Sequence, residues 1–177
     1  MRKLSHLRRR RFLGLTAMAA ASGATVACSR SGGRWRVLTD EEATIAAAAC
    51  DQIIPADEFP GAAEAGAVEF IDRQLSGHLA QNLAIYRKGL ADLQRVSFER
   101  HGKPFAELDS APQTALLHSI EKSRFFGLLL ANTMQSYYGD PRHGGNRDEA
   151  GYRSIGVPIA QVRGRSQHNL VQLEKAE

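Results

Sequence analysis

Apolar positions recur every three or four residues in separate stretches between Leu38 and Tyr138. That spacing writes the buried stripe of an α-helix, whereas a half-buried strand alternates with period two. The first stretch opens on Thr39-Asp40-Glu41-Glu42, a capping box in which the Thr39 hydroxyl and the Glu42 side chain each serve the other's backbone N–H. Leu38 is placed to staple against Ala43, and the helix runs toward Ile54 with Ala46, Ala49, Cys50 and Ile53 on its buried face, until Pro55 ends it. A second helix follows from Ala67, Val68, Ile71 and Leu75, with Gly77 placed to close it.

The longest stretch steps through Leu79, Leu83, Tyr86, Leu90, Leu93 and Ser97. Arg100 and His101 suit its C-terminal dipole, and Gly102 and Pro104 lie beyond. Ser110-x-x-Gln113, with Pro112 in the first turn, starts a fourth helix through Leu116, Leu117 and Ile120. Phe125 to Tyr138 is apolar nearly all round and predicts the central buried helix. No stretch alternates long enough for a strand, so the chain is predicted all-α, a single domain of about five helices over residues 38–158. Residues 159–177 lack apolar periodicity and are expected to form a loose tail.

Charge changes the picture at the N-terminus. The formal net charge is +4, but six of the 23 basic residues lie in the first eleven positions and no acid precedes Asp40. Removing residues 1–27 leaves 17 basic against 19 acidic residues, a net of about −2, so the basic balance belongs to the leader and a nucleic-acid partner loses its support. Residues 12–27 are uncharged and moderately apolar; at about 1.5 Å per residue they are too short to cross a hydrocarbon core of roughly 30 Å. Residues 1–27 are therefore expected to be a signal peptide, and 28–37 a linker with order beginning near Trp35. Arg9-Arg10-Arg11-Phe12-Leu13 resembles the twin-arginine export motif, with Arg9 and Arg10 as the pair and Phe12 and Leu13 following. Cys28 stands where a lipoprotein is acylated; lipidation there and plain cleavage after Ala27 both remain open.

Candidate chemistry is sparse. Only Cys28 and Cys50 are present, the six histidines are scattered, and no phosphate loop, dinucleotide fingerprint or nucleophile elbow is written. Cys50 falls on a predicted buried face and is expected to be an inert core thiol. The most informative segment is the loop Gly139-Asp140-Pro141-Arg142-His143-Gly144-Gly145-Asn146-Arg147-Asp148. It is either a rigid polar surface for a partner or anion, through Asp140, Pro141, Arg142, Gly144, Gly145, Asn146 and Arg147, or a self-bonded turn. In the second case Arg142 and Arg147 would pair with Asp140 and Asp148.

Several blocks together carry a family resemblance. Thr39–Glu42, Asp51-Gln52-Ile53-Ile54-Pro55-Ala56-Asp57, Gly61–Gly66 followed by Phe70-Ile71-Asp72, Gly102-Lys103-Pro104-Phe105 and Tyr138–Asp148 resemble the gluconate 2-dehydrogenase subunit 3 family. The resemblance implies a cofactor-free small subunit of a periplasmic, membrane-associated sugar or sugar-acid dehydrogenase. In such complexes a large GMC-type flavoprotein carries FAD, a cytochrome c subunit carries haem c, and the small subunit supports flavoprotein maturation and its passage through the twin-arginine machinery. Membrane association would come through a partner or a lipid anchor on Cys28. The competing expectation is a stand-alone periplasmic helical lipoprotein or binding module; an enzyme using Asp140, His143 and Arg147 is a third.

Overall fold

The computed structural model of the chain describes residues 34–157, and these are all-helical with no strand among them. The leader 1–27, the first part of the 28–37 linker and the tail 159–177 lie outside the described residues. Six helices follow in order: α1 (Asp40–Ile53), α2 (Ala67–Leu75), α3 (Leu83–His101), α4 (Ser110–Ser119), α5 (Arg124–Tyr138) and α6 (Ala150–Ser154).

The start of α1 bears out the capping box. The Glu42 N–H donates to the Thr39 hydroxyl at 3.1 Å and the Thr39 N–H to the Glu42 carboxylate at 2.8 Å. These bonds occupy two of the donors that a helix N-terminus leaves unpaired. Gly102 ends α3 in the left-handed region at φ 68°, where a glycine carries no Cβ penalty.

Other ends differ from expectation. Helix α2 closes at Ser76, whose hydroxyl donates to the Arg73 carbonyl, rather than at Gly77. Residues Ala80–Asn82 form a 3-10 turn, so α3 begins at Leu83 rather than Leu79. Ser110 does not build a capping box with Gln113, because Asp109 holds the N-cap position. Both side chains are engaged elsewhere: the Ser110 hydroxyl donates to Gln52, and Gln113 accepts from Gln52 and donates to the Phe105 carbonyl. The pair that suggested a cap instead joins α4 to α1.

Helix α1, not α5, is the centre. It packs against α2, α3, α4 and α5, and its inner positions Ala46, Ala49 and Cys50 have no exposed surface. Small side chains let four neighbours approach one axis, which long apolar side chains would hold apart. Helix α5 buries only one face, and that face is partly polar: Asn132, Thr133 and Ser136 are inside, while Leu130 and Met134 are 39% and 43% exposed. Hydrogen bonds make the burial tolerable. Asn132 donates to the Tyr86 hydroxyl at 2.7 Å, Thr133 to the Leu129 carbonyl at 2.8 Å, and Ser136 to the Thr133 carbonyl at 2.7 Å. Cys50 lies 3.2 Å from the Thr133 hydroxyl in the same layer.

The linker is anchored where it meets the domain. Backbone N–H groups of Arg36, Val37 and Leu38 all donate to the Asp72 carboxylate, at 2.7, 2.9 and 3.0 Å. Asp72 is only 3% exposed, and these donors compensate its desolvation.

Candidate functional site

The segment after α5 is built as a clip. Asp140 begins it: its carboxylate accepts from the Arg142 backbone N–H at 3.0 Å and from the Arg142 guanidinium at 2.8 Å. The Arg142 side chain, and then its N–H, hold the Asp140 carboxyl below the usual carboxylate range. Pro141 occupies the first turn of the short 3-10 helix Pro141–His143. Gly144 then turns the chain at φ 98°, and a Cβ there would press on the Arg73 guanidinium at 2.9 Å. At Gly145 a Cβ would collide with the backbone of Ser136, so the loop lies directly on α5.

Asn146 is the inner anchor. It has no exposed surface, stands in the left-handed region at φ 47°, donates to the Gly139 carbonyl at 2.8 Å and accepts from the Gly151 N–H at 2.8 Å. Both ends of the loop are thus tied by one side chain. Asp148 and Glu149 also have positive φ, 54° and 57°, a conformation that stores strain and needs such bracing.

Arg147 fastens the loop to the segment before α2. Its N–H donates to the Ala65 carbonyl at 2.9 Å, its guanidinium to the Glu64 carbonyl at 2.8 Å, and it stands 3.4 Å from Glu69. The Glu69 carboxylate also takes Arg34 from the linker. Burial alone would raise the Glu69 pKa, but the Arg34 hydrogen bond, with help from Arg147, outweighs it and leaves the carboxyl below its ordinary value. Tyr137 adds another tie, donating to the Pro60 carbonyl at 2.8 Å.

The self-bonded alternative for this loop therefore describes part of it. Arg142 does pair with Asp140, yet Arg147 turns away from Asp148 to α2, because its own N–H is already bonded to Ala65. Of the candidate interface residues, Gly145 and Asn146 are buried and shape the loop from inside; Asp140, Pro141 and Gly144 are half-buried; Arg142 and Arg147 are exposed, as is His143. Among the described residues no three His, Cys, Asp or Glu side chains converge as a metal site. Arg9, Arg10, Phe12, Leu13 and Cys28 lie outside the described residues. Glu69, Arg73 and Arg34 were not singled out by their sequence pattern, and Asp72 entered only as part of a resemblance block with no role of its own. They sit at ordinary helical and linker positions, and only the docking of the loop and linker onto α2 gives them partners.

Residues 40–158, which take in all six helices, match the family model described as gluconate 2-dehydrogenase subunit 3. The chain belongs to the gluconate 2-dehydrogenase subunit 3 family. No curated protein and no solved structure matched it. The matched span includes the Asp140–Arg147 clip, so in this subunit 3 chain the loop is part of the family domain rather than an appendage. Membership implies association with a gluconate dehydrogenase complex.

Proposed function

We propose that this chain is the non-catalytic small subunit of a periplasmic, membrane-associated, FAD-dependent gluconate or sugar dehydrogenase. In that complex FAD sits on a large GMC-type flavoprotein and haem c on a cytochrome subunit. The small subunit supports maturation of the flavoprotein and carries it out of the cytoplasm by the twin-arginine route. The observation that carries the reading is the family match across the whole helical domain, from Asp40 to Pro158. The leader fits the same role: it is strongly basic, contains Arg9-Arg10 followed by Phe12-Leu13, and stands ahead of a domain with a fixed fold. Cys28, ahead of the domain, supplies a position for a lipid anchor that would keep the complex at the membrane.

The exposed side of the loop, with Arg142, His143 and Arg147 outermost, is the surface assigned to the flavoprotein; Gly145 and Asn146 act on it only by holding its shape. The test is export. Changing Arg9 and Arg10 together to Lys is expected to strand the flavoprotein in the cytoplasm, measured by cell fractionation and flavin-dependent dye reduction. Normal periplasmic flavoprotein in that variant would defeat the proposal.

A further inference from the structure

The outer face of α5 carries apolar side chains that no other described element covers, with Leu130 and Met134 the most exposed. Beside Met134 the surface dips into an open hollow of about 620 Å³, lined also by Phe70 and Gln74 of α2, by Tyr138, and by His143 of the loop. Leu130, Met134 and Tyr138 are spaced by four residues, so the strip extends along about 12 Å of helix.

A cation stands beside this hollow, next to two of its lining residues, Gln74 and His143, though not in the lining itself. Arg73, next to Gln74, lays its guanidinium over Gly144, and its hydrogen bond is a long one, 3.4 Å, to the Arg142 carbonyl. Arg142 beside it is neutralised by Asp140, whereas none of the ion pairs among the described residues includes Arg73. An exposed arginine without a counter-ion among the described residues, beside open apolar surface, complements a segment that carries apolar side chains and a carboxylate together. In an apolar groove between α3 and α4 the charged rim is already engaged, since Lys88 and Arg95 both pair with Asp92.

We propose that the hollow between Phe70, Met134 and Tyr138 seats an acidic amphipathic segment of the large flavoprotein, with Arg73 pairing its carboxylate. This rests on the accessory-subunit reading and names the surface and the chemistry of the contact. Full-length tagged chain would be isolated with its flavoprotein, and the affinity of the pair measured by flavin absorbance for wild type, Met134→Asp, Arg73→Glu and the control Lys88→Glu. All three positions are exposed, and circular dichroism checks that each variant keeps its helices. The expected result is a loss of ~10-fold or more for Met134→Asp and for Arg73→Glu, with the control unchanged and Met134→Leu restored. A flavoprotein held equally by all variants overturns the hollow as its seat and leaves the accessory role standing. A wild-type chain that holds no flavoprotein overturns both.

Discussion

At the scale of single residues, the polar groups this domain buries are nearly all answered by a specific partner. Asp72 is the clearest case, since one buried carboxylate accepts three successive backbone N–H groups. Asp72→Ala leaves those donors without an acceptor and is expected to cost about 2–4 kcal/mol in urea unfolding, with Asp72→Asn costing less because one oxygen survives. Equal stability of all three proteins would contradict that account. Cys50 lies at the other extreme of chemistry. Burial pushes its thiol up to about 12, against the smaller opposite effect of the Thr133 hydroxyl. At neutral pH it is a small core side chain and not a nucleophile. In a Cys28→Ser background, a thiol reagent is expected to label Cys50 only when the chain unfolds; rapid labelling of the native protein would mean that the helix layer opens.

At the scale of elements, the five long helices were legible because each has a contiguous apolar stripe and local punctuation, as at Thr39, Pro55, Gly102 and Pro112. Their arrangement was not. The apolar content of Phe125–Tyr138 suggested a central helix, but helix packing rewards small side chains at the axis, and Ala46, Ala49 and Cys50 gave α1 that place. The loop was visible as a special segment through its glycines, while its bonding was hidden because the acceptors come from Ala65, Glu64 and Glu69, more than seventy residues earlier. Short-range pairing rules favour Asp148 for Arg147; tertiary contact overrides them.

The same joint has a pH dependence of defined sign. The Glu69 carboxyl has a lowered pKa in the folded state, so its contribution to stability is present above the ordinary glutamate value and is lost as pH falls through the folded one. Acidification is therefore expected to loosen the Arg34 and Arg147 contacts together. The protection of the Arg147 N–H against hydrogen exchange, corrected for the intrinsic pH dependence, should fall on the acid side in wild type and show no such step in Glu69→Gln. An identical profile in the two proteins would remove Glu69 from the joint.

At the scale of the whole molecule, α1 makes the described helices a single cooperative unit, since four of them meet on it. A large side chain at its axis has no neighbour with room to yield. Ala49→Leu is expected to destabilise the fold by about 1–3 kcal/mol, and to accelerate hydrogen exchange in α2, α3, α4 and α5 alike. Faster exchange confined to one of them would show that the helices melt separately. This cooperativity suits a subunit whose task is to present a surface, because the loop and the outer face of α5 then inherit the stability of the core.

Asp72 has one more consequence, which is mechanical. The three N–H groups that it receives are consecutive along the chain, so tension in the segment upstream of Arg36 is taken by α2, through Asp72 and the Arg34–Glu69 pair, rather than by the first turn of α1. The domain thus has a strain relief at its N-terminal side, of the kind that protects a cable where it enters a housing. Whatever is attached to, removed from or pulled upon ahead of that point acts on a fixed mooring, and the helices behind it are insulated from the load.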